Sequence, residues 1–435
     1  MIQTPGHGAL VLDYATLRSL LGEHGDSFYV LDTARYLRNL SDLLARFRRR
    51  YPKTAVGHSY KTNYIPHLCA VSHAAGSYAE VVSRMEYDLA TRLGIAQDRI
   101  ILNGPVKDDP LLREGLHSGV RLNLDSLQEL DRTIRIARES PRDSFGVGLR
   151  VNFTMPGLAR SRFGIDAESD DLQHAVDLLT REPNLRLEGL HCHIGGDRSA
   201  NSYAYRAARL IELARQCFGR ETPRYLDIGG GFAGHVAPEL AAQFPYVVPD
   251  MESYAEATAA PFADAFGTGD GPELIVEPGT GLLADVLQFV CEVVSLKRIG
   301  DRAHAVTTGS VYNVKPTLNR YDIPVSVIPQ HAGAGEESAW TLGGYTCMEV
   351  DVLHHAFHGR LATGDILLFS NVGAYTVVLT PPFIKPAPAI LAITEGGEIE
   401  KVRRAETLDD VLTTYETRNV PHVRGRARRP RARRR

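Results

Sequence analysis

Short apolar segments alternate with longer amphipathic segments from about residue 54 to residue 282. The short segments have the composition of buried strands, and the longer segments repeat their apolar positions with helical spacing. The segment 125–140 is one such predicted helix, with Asp125 or Ser126 as its N-cap. Eight strands are predicted, at 54–60, 77–82, 99–103, 119–124, 146–153, 186–194, 224–228 and 273–278.

Eight strand–helix units in succession predict an α/β fold, a (β/α)8 barrel over residues 33–282. After residue 283 the apolar segments follow one another with few helices between them. This change predicts a mostly antiparallel β-domain built from residues 283–420, joined by the N-terminal segment 1–32. Its strands are expected within 286–296, 304–310, 323–328, 365–370, 374–379 and 388–394.

Composition places few further limits on the 435-residue chain. It has no run of 18 or more apolar residues and no signal-peptide pattern at its start, so neither a membrane span nor secretion is expected. Its five cysteines have no CxxC spacing, which argues against zinc and favours a reducing cytoplasm.

The charge is uneven along the chain. The net charge is −3, yet the last twelve residues hold eight arginines and no acid. We expect residues 421–435 to form a disordered, solvated tail. A nucleic-acid-binding arm is the alternative, but the rest of the sequence shows no matching basic patch, so no nucleic-acid partner is expected.

Candidate chemistry collects where predicted strands end, which is where barrel enzymes place their active sites. Lys61 follows the first barrel strand. At such a buried position we expect a lowered pKa and a nucleophilic neutral amine, although a surface lysine is the ordinary alternative. Glu277 ends the eighth strand, where a cap or an ion-pair partner is the ordinary role of a carboxylate.

Two further motifs follow predicted strands. The run Gly229–Gly231 frees the backbone for close approach to an anion, and no Lys-Ser or Lys-Thr follows it as in a nucleotide P-loop. His191 and His193 would lie on one face of a strand because side chains alternate. They fit a metal pair or a ring stacked on a cofactor, and no third ligand stands at a suggestive spacing, so no metal is predicted.

Taken together, these motifs resemble the fold type III (alanine-racemase-like) decarboxylases that use pyridoxal 5′-phosphate (PLP), the diaminopimelate, ornithine and arginine decarboxylase family. The resemblance covers about residues 25–420, and the motifs stand in the family's order. They are SYKTN (59–63), AEVVSRMEYDLA (79–90), GLHCHIGG (189–196), LDIGGGF (226–232), VEPGT (276–280), TCMEVD (346–351) and NVGAYT (371–376).

The resemblance implies a role for each motif. Lys61 would hold PLP as a Schiff base, with the acidic Glu80 nearby, and His193 would stack on the pyridine ring. Glu277 would keep the ring nitrogen protonated, which strengthens the electron sink for the carbanion left by decarboxylation. Racemases of this fold have an arginine there instead. The phosphate would be held by Gly229, Gly230 and Gly231, together with Gly279 and Tyr375.

Cys347 would protonate the carbanion after decarboxylation. In the family that cysteine comes from the neighbouring subunit, so the resemblance implies a homodimer with two shared active sites.

The sequence departs from the family at the groups that contact the distal end of the substrate. Diaminopimelate decarboxylases have two arginines and a tyrosine for the distal carboxylate, and an acid after the cysteine for the distal ammonium. Glu349 could replace that acid, but on a strand it would face the other way. Gly196 stands where serine is common, so the PLP phosphate would be held differently. The replaced positions, all candidate substrate contacts, are Thr280, Lys315, Asn319 and Met348.

A charged group buried without its partner is costly, so these replacements argue against the family's usual substrates. The hypothesis is therefore decarboxylation of an unusual or conjugated amino acid, linked to citrate or to a carrier as in siderophore and antibiotic pathways. Diaminopimelate decarboxylation in lysine synthesis is the alternative. Further alternatives are an amino-acid racemase, a non-catalytic homologue and a metal-dependent hydrolase.

Overall fold

The chain forms two sheets, one closed into a barrel and one mixed. The computed structural model describes residues 12–394 and 396–416, so the predicted tail at 421–435 and the first eleven residues lie outside it. In chain order, the elements before residue 220 are α1 (Tyr14–His24), β1 (Ser27–Asp32), α2 (Thr33–Arg50), β2 (Thr54–Ser59), α3 (Pro66–Ala74), β3 (Tyr78–Val81), α4 (Arg84–Arg92), β4 (Ile100–Leu102), α5 (Asp109–Ser118), β5 (Arg121–Leu124), α6 (Leu127–Arg138), β6 (Phe145–Asn152), β7 (Ile165–Asp166), α7 (Asp171–Arg181), β8 (Leu185–His191) and α8 (Ala200–Phe218). The elements after it are β9 (Tyr225–Asp227), α9 (Pro238–Ala241), α10 (Met251–Phe266), β10 (Glu273–Val276), α11 (Gly279–Leu283), β11 (Leu287–Ile299), β12 (Arg302–Thr307), α12 (Val311–Val314), β13 (Val325–Ile328), β14 (Glu336–Gly343), β15 (Val352–Leu361), β16 (Ile366–Phe369), β17 (Ala389–Ile393), β18 (Ile399–Arg403) and α13 (Leu408–Leu412).

Eight parallel strands close the barrel in the order β2-β3-β4-β5-β6-β8-β9-β10, and β10 pairs with β2. The two-residue β7, which the apolar pattern did not predict, pairs with β6. Strand residues are buried on both faces, as expected when helices cover a parallel sheet. All eight predicted barrel strands are therefore confirmed.

Local capping explains where the barrel helices begin. The Ser126 side chain accepts a hydrogen bond from the Glu129 amide at 3.2 Å, so Ser126 rather than Asp125 is the N-cap of α6. Ser83 caps α4 in the same way, with its hydroxyl 3.2 Å from the Glu86 amide. Caps of this kind satisfy amides that the first turn of a helix leaves unpaired.

The second sheet contains β1 and all eight described strands after β10. It is mixed, because β1 pairs parallel with β17 and β12 pairs parallel with β14, while the other pairings are antiparallel. The predicted strand at 374–379 is wrong: this segment forms a turn, with Tyr375 at a φ of 58°. Strands β14, β15 and β18 were not predicted, because they are largely solvent-exposed and carry little apolar pattern.

The segment after β16 carries the second sheet to the mouth of the barrel. The Tyr375 amide donates to the Thr62 carbonyl at 2.9 Å, and the Asn63 side chain donates to the Gly373 carbonyl at 3.0 Å. These bonds hold the turn beside the loop that contains Lys61. None of the helices in the described residues is long and apolar enough to cross a bilayer.

Candidate active site

Lys61 lies in the loop after β2, and its Nζ contacts the buried carboxylate of Glu80 on β3. Burial favours the neutral amine, but the Glu80 and Glu277 carboxylates outweigh it and raise the pKa of Lys61. The expectation of a lowered pKa was therefore wrong, because the sequence did not show that two acids from other strands converge on this amine. These partners favour the charged form of the Lys61 amine.

Glu277 follows β10 at the floor of the same site. Its Oε1 accepts a hydrogen bond from Asn103 at 2.7 Å, and the same amide lies 3.1 Å from Glu80. Burial, together with the nearby Asp227 and Glu80 carboxylates, raises the pKa of Glu277 well above its usual value. Burial also raises the pKa of Asp227 to about 7. A cationic partner in this cavity would reverse both shifts, because opposite charge stabilises carboxylates.

The two histidines have different surroundings. Strand β8 ends at His191, so the alternation that would put both rings on one face does not extend to His193. His193 Nδ1 accepts a hydrogen bond from the Gly230 amide at 2.9 Å, whereas His191 Nε2 lies 3.8 Å from Glu277. Burial lowers the pKa of both rings well below the ordinary value, so both are neutral.

His191 also belongs to a group of possible metal ligands. Its ring and the carboxylates of Asp227 and Glu277 place their donor atoms within 4.8 Å of one another. The sequence shows no third ligand at a suggestive spacing from the two histidines. The fold brings the carboxylates of Asp227 and Glu277 to His191 and leaves His193 outside the group. The carboxylates of such a group would also stabilise a protonated ring nitrogen of a bound cofactor, because opposite charges attract.

The glycine run after β9 is tightly enclosed. A Cβ at Gly229 would lie 2.5 Å from the Cys192 carbonyl oxygen, and one at Gly230 would lie 2.3 Å from the Glu277 carbonyl oxygen. Gly229 and Gly231 have φ values of 69° and 96°, which side-chain-bearing residues rarely adopt. Larger residues are therefore excluded, and the loop backbone can approach a ligand closely.

A cavity of about 120 Å³ joins these features. Of the residues predicted to contact the cofactor, Glu80 and Gly229 do not line it; Glu80 instead contacts Lys61. The other predicted cofactor contacts all line it, namely Lys61, His193, Gly230, Gly231, Glu277, Gly279 and Tyr375.

A second, larger cavity of about 290 Å³ adjoins the first and shares Arg198, Thr280 and Tyr375 with it. Two of the predicted substrate residues, Thr280 and Asn319, line it. Its walls are mostly apolar and aromatic, and they come from the loop after the glycine run and from the loops that precede β13 and follow β16. The aromatic lining residues are Phe244, Tyr246, Tyr321 and Tyr375.

The other predicted substrate residues do not reach either cavity. Lys315 is buried elsewhere, where its Nζ donates to the Tyr321 carbonyl at 3.0 Å and lies 3.7 Å from Asp322. Cys347, Met348 and Glu349 lie in the turn between β14 and β15. Glu349 was expected to face away from Met348 because side chains alternate on a strand. That expectation is wrong, since neither residue lies on a strand.

Sequence reasoning missed several polar residues that surround the site. Asn103 and Asp227 stand at the ends of β4 and β9, so the strand-end rule applied to Lys61 could have found them. Arg198 and Arg206 belong to the segment that follows the histidine motif, and no sequence signal pointed to them. Only the fold shows that they lie beside the glycine run.

The residues present fit PLP. Lys61 offers an amine for its aldehyde, Glu277 an acid for its ring nitrogen, and the glycine run close backbone approach for its phosphate. Two observations support this fit. The glycine run is enclosed and conformationally restricted, and the acids Asp227 and Glu277 lie together beside the cavity.

Residues 37–284 match the family model described as "Pyridoxal-dependent decarboxylase, pyridoxal binding domain". The chain therefore belongs to the PLP-dependent decarboxylase family. It is an amino-acid decarboxylase with PLP as its cofactor, so the predicted reaction class and cofactor are confirmed.

Curated relatives extend the similarity over nearly the whole chain. A diaminopimelate decarboxylase of Methanothermobacter thermautotrophicus is 27% identical and covers 97% of this chain and 98% of its own. That of Aquifex aeolicus is 23% identical and covers 93% and 95%. A crystal structure of diaminopimelate decarboxylase from M. jannaschii with L-lysine has a TM-score of 0.80 at 20% identity, over 91% of this chain and 93% of that chain. The structural likeness confirms the alanine-racemase-like fold.

Proposed function

We propose that this decarboxylase acts on an unusual or conjugated amino acid whose distal part is large and carries no free ammonium group. The observation that carries this proposal is the second cavity, which has no Asp or Glu among its described lining residues. A distal ammonium would lose its water there without gaining a counter-charge, which is unfavourable. An aromatic, amide or otherwise conjugated group would pack against the apolar walls.

The proposed chemical roles belong to residues in and beside the smaller cavity. We propose that Lys61 holds PLP and that Glu277 faces its ring nitrogen, as the resemblance implies. Bound there, PLP supplies the electron sink for the bond between the α-carbon and the carboxylate. Glu80 orients the Lys61 amine toward the cavity, and the Gly230 amide fixes the His193 ring by donating to its Nδ1.

The donor of the final proton is proposed to be Cys347. This thiol is exposed and lines neither cavity of its own chain, so it would act in the site of a second copy. Large apolar side chains are exposed in and near its turn, which is typical of a contact surface. We therefore include a homodimer with shared sites in the proposal. The exposed apolar residues are Met348 and Val350 in the turn, and Phe383 and Ile384 in the segment that contacts Tyr345.

Diaminopimelate decarboxylation is the second candidate, because the curated relatives bear that name. One feature of the site favours it. Arg198 borders both cavities and could receive the distal carboxylate of diaminopimelate in place of the family arginine that Thr280 replaces. The distal ammonium would still need an acid, and Glu349 of a second copy is the candidate.

A carbon dioxide release assay separates the two candidates. The purified holoenzyme is offered meso-diaminopimelate, lysine, ornithine, aromatic amino acids, and lysine or diaminopimelate linked through the distal amine to citrate or to a carrier. We expect turnover of a conjugated or aromatic substrate and little turnover of the charged free amino acids. Rapid turnover of meso-diaminopimelate would instead establish the second candidate. The Lys61→Ala variant serves as the negative control for each substrate.

A further inference from the structure

Arg206 on α8 is a buried arginine without an acidic partner. Its side chain is fully buried, and no carboxylate of the described residues lies within ion-pair distance of it. Its Nη2 donates to the Asp197 carbonyl at 2.7 Å and to the Ser202 hydroxyl at 2.9 Å, while Nε and Nη1 have no hydrogen-bond partner there. Other buried cations are each paired with an acid: Lys107 with Glu129, Arg121 with Glu273, Arg150 with Asp125, and Lys315 with Asp322.

This unpaired charge lies against the glycine run. The guanidinium of Arg206 lies 4.4 Å from the ring centre of Tyr203, whose hydroxyl donates to the Gly230 carbonyl at 2.9 Å. A Cβ at Gly231 would lie 3.9 Å from Arg206 Nη1. A buried cation is costly unless an anion compensates it, so the position points to an anion held by the glycine run.

Arg198 provides a second free cation on the same side. It borders the cofactor cavity, and its guanidinium makes no hydrogen bond or ion pair to the described residues. Its backbone is fixed, because the Tyr254 hydroxyl donates to the Arg198 carbonyl at 2.5 Å. The adjacent Asp197 carboxylate does not pair with it; it accepts from the Ser199 amide at 2.7 Å and the Ser199 hydroxyl at 3.0 Å.

We propose that Arg198 and Arg206 supply the positive charge that holds the phosphate of PLP, compensating for the serine that Gly196 replaces. Arg198 is the direct partner, and Arg206 acts from behind the glycine run. Charge-assisted bonds to phosphate are the strongest hydrogen bonds that arginine makes. The inference rests on the proposed role of Gly229–Gly231 in holding the phosphate, and it assigns Arg198 to that phosphate rather than to a distal carboxylate of the substrate.

The test compares PLP with pyridoxal, which has the same ring and aldehyde but no phosphate. Dissociation constants for apoprotein are measured by equilibrium titration of the visible absorbance of the bound cofactor. We expect Arg198→Gln and Arg206→Met each to weaken PLP binding roughly 10- to 100-fold, the effect of losing one charge-assisted interaction, and to leave pyridoxal binding nearly unchanged. Arg206→Lys, which keeps the charge, should recover most of the PLP affinity.

One matched control variant and one fallback for a folding failure keep the proposal open to refutation. Arg209→Gln, on the same helix, removes a guanidinium that pairs with Glu212 at 2.5 Å and should not change PLP affinity. If Arg206→Met does not fold, the proposal is tested with Arg206→Lys and Arg198→Gln. The quantity compared is again the dissociation constant of PLP relative to that of pyridoxal. Equal losses for PLP and pyridoxal, or unchanged PLP affinity, would overturn the proposal.

The role of the glycine run is tested separately with Gly231→Ala. If Gly231→Ala changes the ratio of the two dissociation constants and the arginine variants do not, the arginine proposal alone fails. If none of the three variants changes that ratio, the phosphate is held elsewhere and both assignments fail.

Discussion

The two adjoining cavities are built from different parts of the molecule. The cofactor cavity uses charged side chains and glycine backbone at the ends of barrel strands, including Lys61, Gly230 and Glu277. The neighbouring cavity uses aromatic and aliphatic side chains from the loop after the glycine run and from the loops before β13 and after β16, among them Phe244 and Tyr321. We therefore propose that the cofactor chemistry resides at the ends of the barrel strands and that substrate choice depends on loops, which can change without disturbing the barrel.

The largest expected effect is in the cofactor cavity. Lys61→Ala should lower decarboxylation by roughly 10⁴-fold or more, because the proposed cofactor anchor is lost. The visible absorbance of the bound cofactor should change at the same time. Both are measured on purified protein. Lys53→Ala, which removes a lysine bonded only to the Gly271 carbonyl, should leave both properties intact.

A smaller loss is expected from the floor of that cavity. Glu277→Gln should lower kcat by roughly 10²–10³-fold, the usual scale for losing one preorganised electrostatic contact in an active site. Steady-state kinetics measure the loss, and Glu277→Asp, which keeps the charge on a shorter side chain, should restore part of it. Equal activity of Glu277→Gln and the parent enzyme would remove Glu277 from its proposed place.

The neighbouring cavity should respond in a substrate-dependent way. Phe244 stacks on Tyr246 with ring centres 5.4 Å apart and meets Tyr321 edge-on at 5.0 Å. Phe244→Ala removes this aromatic contact, so kcat/KM for a large conjugated or aromatic substrate should fall roughly tenfold. The same variant should change PLP affinity little. A fall in PLP affinity of the same size would mean that the two cavities are not independent.

The smallest effect concerns the pH dependence of stability. Burial raises the pKa of Asp227 to about 7, so the folded apoprotein keeps a proton that the unfolded chain releases near its ordinary value of 3.8. That contribution to stability is therefore present at low pH and is lost as pH rises toward 7. Thermal melts of apoprotein at pH 5 and pH 8 should differ less for Asp227→Asn than for the parent chain, by about 2–4 °C.

A larger difference in the Asp227→Asn apoprotein than in the parent would contradict the raised pKa. Added PLP should also reduce the difference in the parent chain, because a cationic ring nitrogen beside Glu277 would favour the ionised acids.

The barrel was predictable because its strands are buried on both faces and therefore read as continuous apolar segments. Strands β14 and β15 were not, because most of their residues face solvent and their stability comes from pairing with each other. The turn at Tyr375 shows the opposite error. Its apolar residues suggested a strand, but the segment turns at the mouth of the barrel, with the backbone of Tyr375 in the left-handed region.

The candidate site divides in the same way. Lys61, His193, Glu277 and the glycine run were found because each follows a strand, and parallel strands bring their carboxyl ends together. The pKa of Lys61 was predicted in the wrong direction, because it depends on acids that lie on other strands. Arg206 had no visible role in the sequence, since its importance comes from the glycine run that it lies against.

By itself, the sequence determined the barrel, the order of the motifs and the PLP-dependent reaction class, because these follow from local patterns at fixed spacing. Only the tertiary structure decided that Lys61 meets the Glu80 carboxylate, that Lys315 is turned away from the site, that Arg206 is buried without an acid, and that an aromatic cavity adjoins the cofactor cavity. Burial and charge pairing join residues far apart in the chain, and no local pattern specifies which residues meet.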